Sequence, residues 1–204
     1  MEAFSSVTGI AVPYLDDDVN TDEITPVQRD LHPDLPSLLF RRRRRLDDGS
    51  MDPEFPLNRP EFANAVVLVA GRNFGCGSSR ESAVWAMLAV GIRSIVARSF
   101  SDIYRDNCLK NGLLPVVLGR ADCERFEAEV MAASGMSEVT VDLVAKSVTG
   151  PTGSTYAFDI DPAERTALLE GLDDIGISLR EDSAIADFER RSMNLTPWNA
   201  RVPI

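Results

Sequence analysis

Apolar residues along this chain fall into short runs separated by stretches with helical spacing. Residues 66–70, Val-Val-Leu-Val-Ala, form a continuous apolar run rich in β-branched side chains, which predicts a buried strand. Residues 82–90 carry good helix formers at helical spacing and stop at Gly91. A second strand is predicted over 92–97. A helix follows, with Ser99 or Ser101 as its cap and Asn111-Gly112 as its end. Residues 113–118 read as a third strand, where Pro115 marks an edge or a bulge. Strand, helix, strand, helix, strand over 66–118 is the signature of parallel pairing through right-handed crossovers.

Beyond that unit, a helix is expected over 122–133. Residues 139–148 alternate apolar and polar positions, and Gly150-Pro-Thr-Gly153 turns the chain into 155–160, which predicts a hairpin. Asp161-Pro162 opens a helix that ends near Gly171, and a last helix covers about 181–191. Residues 27–61 are proline-rich, charged and poorly periodic, so they read as a long loop segment. The tail over 194–204 reads as extended. No internal repeat is visible.

Composition narrows the class. A chain of 204 residues can bury a sizeable core as one domain, or as one domain with an appended lobe, and 44% hydrophobic with 26% charged residues is ordinary for a globular protein. No apolar run has the length of a membrane span, and residues 1–6 lack the basic flank and apolar core of a signal peptide. Cysteines at 76, 108 and 123 are odd in number and without Cys-x-x-Cys spacing. They read as free thiols in a reducing cytoplasm, not as ligands of zinc or an iron–sulfur cluster. A net charge of −11 argues against nucleic-acid binding. The five arginines at 41–45 pull the other way. Without interleaved aromatics they read first as a solvated loop against an acidic neighbour, with RNA or a polyanion as the alternative.

The densest chemistry lies in Gly71-Arg-Asn-Phe-Gly-Cys-Gly-Ser-Ser-Arg-Glu81. Glycines 75 and 77 allow a tight turn and close approach of a ligand to the backbone. Ser78, Ser79 and Arg80 then meet a helix N-terminus, where free N–H groups and the helix dipole favour an anion. The dinucleotide pattern needs glycine where Arg80 stands, and the P-loop needs Gly-Lys-Ser/Thr. The nucleophile elbow needs glycines flanking a serine at two-residue spacing. None is present. Cys76 as a nucleophile would need a histidine, and His32 lies far away in a proline-rich stretch. What remains is a turn suited to hold a carboxylate or phosphate beside a serine oxygen.

A second motif, Asp16-Asp-Asp-Val-Asn-Thr-Asp-Glu-Ile-Thr-Pro26, sharpens this reading. Taken with the glycine turn, with Ser99-Phe-Ser-Asp-Ile-Tyr104 and with Asn107-Cys-Leu-Lys-Asn-Gly-Leu-Leu-Pro115, it closely resembles the isopropylmalate dehydratase small-subunit family. That family is the detached counterpart of the C-terminal swivelling domain of aconitase. The resemblance continues in order through Leu46-Asp-Asp-Gly49 and Gly171-Leu-Asp-Asp-Ile-Gly176. It implies an α/β fold of the swivelling β/β/α type, with a parallel-rich sheet core and flanking helices, as a single domain over 1–204. It further implies a cytoplasmic hydro-lyase subunit that works only with a large subunit, as a heterodimer or heterotetramer. In that scheme the large subunit carries a [4Fe-4S] cluster, and the present chain binds no cofactor or metal.

The reaction so implied is reversible dehydration of a hydroxy dicarboxylic acid, interconverting 2- and 3-isopropylmalate through isopropylmaleate in leucine biosynthesis. By the same resemblance Ser78 is the general base, acting as an alkoxide, and Arg80 clamps a substrate carboxylate. Ser79 adds a hydrogen bond. Asp22 positions the serine loop with support from Thr21, and Arg29 stands near a substrate-binding basic position. The chain departs from the family pattern at Ser82-Ala83-Val84, where His-Ala-Pro is usual, at Val27-Gln28-Arg29, where Lys-Gln-Phe is usual, and at the arginine run. Two alternatives therefore stand: a paralogue acting on citramalate, dimethylmalate or homoaconitate, and a non-catalytic regulatory subunit.

Overall fold

The computed structural model describes residues 1–26, 34–78, 80–196 and 198. Its spine is a seven-stranded mixed sheet. In chain order the strands are β1 (Ser6–Tyr14), β2 (Ala65–Ala70), β3 (Ser94–Ala97), β4 (Leu114–Val117), β5 (Glu138–Asp142), β6 (Ser147–Thr149) and β7 (Thr155–Ala157). Their spatial order is β4-β3-β2-β1-β5-β6-β7. The pairs from β1 to β4 are parallel, and those from β1 through β5 and β6 to β7 are antiparallel.

The helices are α1 (Thr21–Ile24), α2 (Leu35–Leu38), α3 (Glu81–Ala89), α4 (Asp102–Asn111), α5 (Arg120–Ala133), α6 (Pro162–Glu170), α7 (Asp174–Leu179) and α8 (Asp182–Leu195). Alternating residues of β2 face opposite sides of the sheet, as the pleat requires. Leu68 and Ala70 join a core with Met87 of α3 and Tyr104 of α4, together with Leu39, Phe40 and Phe55. Val67 and Val69 join a second core with Phe126 of α5 and Leu168 of α6.

The strand–helix alternation expected over 66–118 is present as β2-α3-β3-α4-β4, and Pro115 sits in the edge strand of the sheet, β4. Asp161 caps α6 as expected, its side chain accepting from the N–H groups of Ala163 and Glu164. Ser101 occupies the cap position of α4 but makes no side-chain cap bond. Four features differ from the sequence reading. The sequence pattern does not announce β1, because Gly9 and Pro13 interrupt it, although β1 is the strand where the parallel and antiparallel halves meet. β5 pairs with β1 only as far as Ile10, so Pro13 lies where β1 has β2 alone beside it and its missing N–H is tolerated. The single strand expected over 139–148 is broken into β5 and β6 by a turn, with Lys146 at φ 53°.

The segment 27–61 is less open than its composition indicates. Among its described residues are α2, one turn of 3-10 helix and the start of a second that ends at Phe62, and Leu38, Leu39, Phe40 and Phe55 are buried. Finally, α7 was unforeseen and α8 runs on to Leu195, so residues 194 and 195 are helical instead of extended; most of the remaining tail lies outside the described residues. No described helix is long and apolar enough to cross a membrane.

Candidate active site

Three of the four motifs follow the C-terminal ends of three adjacent parallel strands. Residues 16–26 leave β1, the glycine turn leaves β2, and residues 99–104 leave β3. In open parallel sheets this rim is where ligands bind. Segments 57 residues apart in sequence are thereby laid side by side and joined.

The joint is a ladder of hydrogen bonds. The Asp18 N–H donates to the Arg72 carbonyl at 2.8 Å, and the Gly75 N–H to Val19 at 2.8 Å. The Thr21 N–H donates to Cys76 at 2.9 Å. Two threonine hydroxyls continue the ladder one helical turn apart: Thr21 Oγ1 donates to the Ser78 carbonyl at 2.6 Å and Thr25 Oγ1 to the Ser82 carbonyl at 3.4 Å. The spacing of four residues on α1 matches that between the two acceptors. Thr21 and Thr25 are both buried, so their hydroxyls are fixed to these carbonyls and are not free for a ligand.

The glycines are required by this fit. Gly75 has φ +77°, and a Cβ there would run into the ring of Tyr104. That ring is held edge-on to Phe74, with centroids 5.6 Å apart. Phe74 is itself tied to the third motif, its N–H donating to Ser99 at 3.0 Å and its carbonyl accepting from Ser101 at 3.0 Å. The resemblance motif around Tyr104 thus backs the glycine turn. At its start, Gly71 leaves no room for a Cβ against the Asp16 and Leu15 carbonyls.

The ladder fixes where the functional side chains stand. Ser78 is exposed; its carbonyl is held by Thr21, and its hydroxyl has no partner among the described residues. Arg80 occupies the cap position of α3 with extended backbone (φ −132°, ψ 134°) and makes no side-chain cap bond. The Ala83 N–H turns back to the Arg80 carbonyl at 3.2 Å, and the N–H groups of Glu81 and Ser82 have no partner among the described residues, which leaves them to an anion. Arg80 Nη1 donates to Asp22 Oδ1 at 2.5 Å, with the two side chains 31% and 49% exposed. Asp22 meets the serine loop through the arginine, so its carboxylate aims the guanidinium and leaves other donors of the fork for a ligand. Ser79 and Arg29 lie outside the described residues.

Helix α1 is only four residues long and is stabilised from both ends. Asn20 and Glu23 form a reciprocal capping box. Glu23 also accepts from Arg43 Nε at 3.0 Å, and Arg43 lies 3.7 Å from Asp16. One member of the arginine run therefore contacts acidic neighbours, the first of the two readings of its sequence. That this contact braces α1 beside the site is visible only in the folded chain.

The thiols have other roles. Cys76 Sγ donates to the Asp18 carbonyl at 3.1 Å, and burial, with the nearby Asp18 carboxylate, raises its pKa, so it stays a thiol at neutral pH. Burial raises the Cys108 thiol well above its usual range and the Cys123 thiol to about 12. All three cysteines are free, with Cys108 and Cys123 in different cores. They do not converge on a cluster. No group of three or more His, Cys, Asp or Glu side chains that could hold a metal occurs among the described residues.

Comparison with known proteins agrees with this architecture. The model of the aconitase C-terminal domain family matches residues 1–121, and that of LeuD_N matches residues 124–162. The 3-isopropylmalate dehydratase small subunit of Allorhizobium ampelinum is 43% identical over 201 residues, covering 97% of this chain and 100% of that protein. The protein of the same description from Agrobacterium fabrum is 42% identical over the same shares. Among solved structures, 3-isopropylmalate dehydratase of Methanocaldococcus jannaschii superposes with a TM-score of 0.59 at 26% identity, covering 90% of this chain and 99% of that one.

Proposed function

Because the chain belongs to the family of 3-isopropylmalate dehydratase small subunits, we propose that it is the small subunit of a hydro-lyase interconverting 2- and 3-isopropylmalate through isopropylmaleate. It acts as one swivelling domain that closes on a large subunit in a heterodimer or heterotetramer. The [4Fe-4S] cluster belongs to the large subunit in this proposal, in keeping with three dispersed, protonated cysteines here.

The observation that carries the reading is a Ser78 hydroxyl without a partner among the described residues, two positions from an Arg80 guanidinium already aimed by Asp22. The difficult step is removal of a proton from the carbon beside a carboxylate, whose acidity is low. Ser78 takes that proton as its alkoxide, which the N–H groups of Glu81 and Ser82 and the positive end of α3 stabilise. The C–H electron pair becomes the C=C bond of isopropylmaleate, and the hydroxyl on the adjacent carbon leaves toward the large subunit, where protonation makes it water. Arg80 binds a substrate carboxylate through its free donors and fixes which C–H faces Ser78. Asp22 is a positioning residue that keeps Arg80 in this orientation. Ser79 adds a hydrogen bond to the substrate, and Arg29 contributes a second basic contact. The site stands open on the rim of the sheet, as expected of one half of an active site that a second subunit covers.

The test is anaerobic turnover of 3-isopropylmalate by this chain mixed with its large subunit, with each subunit alone as control. Turnover should require both. Ser78→Ala should lower kcat by at least about a hundredfold, the usual weight of a general base, while assembly persists. Full activity in that variant would remove Ser78 from the mechanism. An assembled, cluster-loaded mixture inactive on 3-isopropylmalate would overturn the substrate assignment.

A further inference from the structure

The five consecutive arginines divide by destination, and Arg43 alone of them forms an ion pair among the described residues. Arg44 is half-buried. Its Nε donates to Asn58 Oδ1 at 2.8 Å and its Nη2 to the Leu57 carbonyl at 3.4 Å, both neutral acceptors. Arg45 Nη1 donates to the Gly49 carbonyl at 2.8 Å, also neutral. Arg41 is exposed, and its side chain makes no hydrogen bond or ion pair to any described residue. Burial and the adjacent Arg45 lower the pKa of Arg44, as expected for a cation sheltered from water without a counter-ion.

Arg41, Arg44 and Arg45 all line one cavity of about 400 Å³. Its floor is apolar, built from Leu39, Phe62 and Ile92, and Asp34 is the single carboxylate residue among the described residues that line it. Among the described lining residues, three positive charges stand against one negative charge, an unusual balance in a chain whose net charge is −11. The cavity is distinct from the Ser78 site. Val90 and Ile92 line it just beyond the C-terminal end of α3, whereas Arg80 caps the N-terminal end. Nine residues of helix set the two ends roughly 13 Å apart.

A greasy floor with a cationic rim selects a ligand that is apolar at one end and anionic at the other. We propose that this cavity is a second binding site, for a small aliphatic carboxylate whose hydrocarbon body lies on Leu39, Phe62 and Ile92 and whose carboxylate meets Arg41, Arg44 and Arg45. The volume is suited to a molecule of modest size, and the donors of Arg44 not engaged by Asn58 and Leu57 are available to it.

The probes are 4-methylpentanoate, 4-methylpentanol, acetate and inorganic phosphate, titrated into the full chain while the methyl resonances of Leu39 and Ile92 are followed. 4-Methylpentanoate should saturate and shift both resonances. The alcohol, which lacks the charge, and acetate, which lacks the body, should each bind at least about tenfold more weakly. Arg44→Met should weaken 4-methylpentanoate binding by about tenfold. Because Arg44 also ties the loop to Asn58, the double variant Arg41→Gln/Arg45→Gln provides a second test and should weaken binding by a similar factor. Arg80→Met should leave this binding unchanged. No saturation of the unmodified chain, equal affinity for the alcohol, phosphate binding as tightly as the acid, or undiminished binding by the double variant would each overturn the proposal.

Discussion

The rim that carries Ser78 and the C-terminal helix α8 use side chains in opposite ways. On the rim, residues 16–25 and 71–82 answer one another group for group, through main-chain bonds, two threonine hydroxyls and the Arg80–Asp22 pair. What is left over there is chemically active: a serine hydroxyl, helix N–H groups and part of a guanidinium. Along α8 no residue is buried. Ile185, Phe188 and Leu195 form one stripe on it, 42%, 66% and 77% exposed. The first region is specified by fit, and change there should be costly; the second contributes little to the isolated fold, and change there should be cheap.

Gly75→Ala should show the largest effect on stability. It must place a methyl group within the Tyr104 ring at positive φ, and thermal or urea unfolding should show a loss of about 3 kcal/mol. A near-neutral result would mean that the Phe74–Tyr104 wall can shift, and that the rim is looser than its bonds indicate. Asp22→Asn should separate positioning from stability. The pair is partly exposed, so unfolding should change by less than about 1 kcal/mol, while kcat/KM of the assembled enzyme falls roughly tenfold as Arg80 loses its guide. Equal kcat/KM would leave Asp22 without a role in orienting Arg80.

Thr21→Val removes one donor from the ladder at almost constant shape. Its cost should be about 1 kcal/mol in unfolding, with the larger part of any activity loss in kcat, because the Ser78 carbonyl is released. The smallest effect is expected from Phe188→Ser, within about 0.5 kcal/mol in denaturant unfolding of the isolated chain. A substantially larger loss would show that the α8 stripe is packed in solution and would erase the contrast with the rim.

Much of the parallel half was legible in the sequence because its signals are local. A β-branched run, a helix-spaced stretch and a glycine stop identify β2, α3 and the turn between them without knowledge of anything distant. Asp161-Pro162 similarly announces α6, because a cap and its N–H partners lie within three residues. β1 was hidden for the complementary reason. Gly9 faces Val66 at close quarters and Pro13 is tolerated by the absence of a β5 neighbour, so its irregular pattern makes sense only beside β2 and β5. The buried aromatics of the loop-rich segment, Phe40 and Phe55, were hidden in the same way, since their partner Tyr14 comes from β1.

The chemical inventory is written in the primary structure: a serine and an arginine after a glycine turn, an aspartate in a second motif, dispersed cysteines and a basic run. Those features are covalent and ordered, and they also carried the family resemblance. Which of these groups meet is set by the folded sheet. It set Asp22 on Arg80, assigned the Thr21 and Thr25 hydroxyls to carbonyls 57 residues away, and divided the arginines between Glu23 and an apolar cavity. The physical reason is that hydrogen bonds and ion pairs act over a few ångströms, and parallel strands bring such distant residues together only when the whole sheet is assembled.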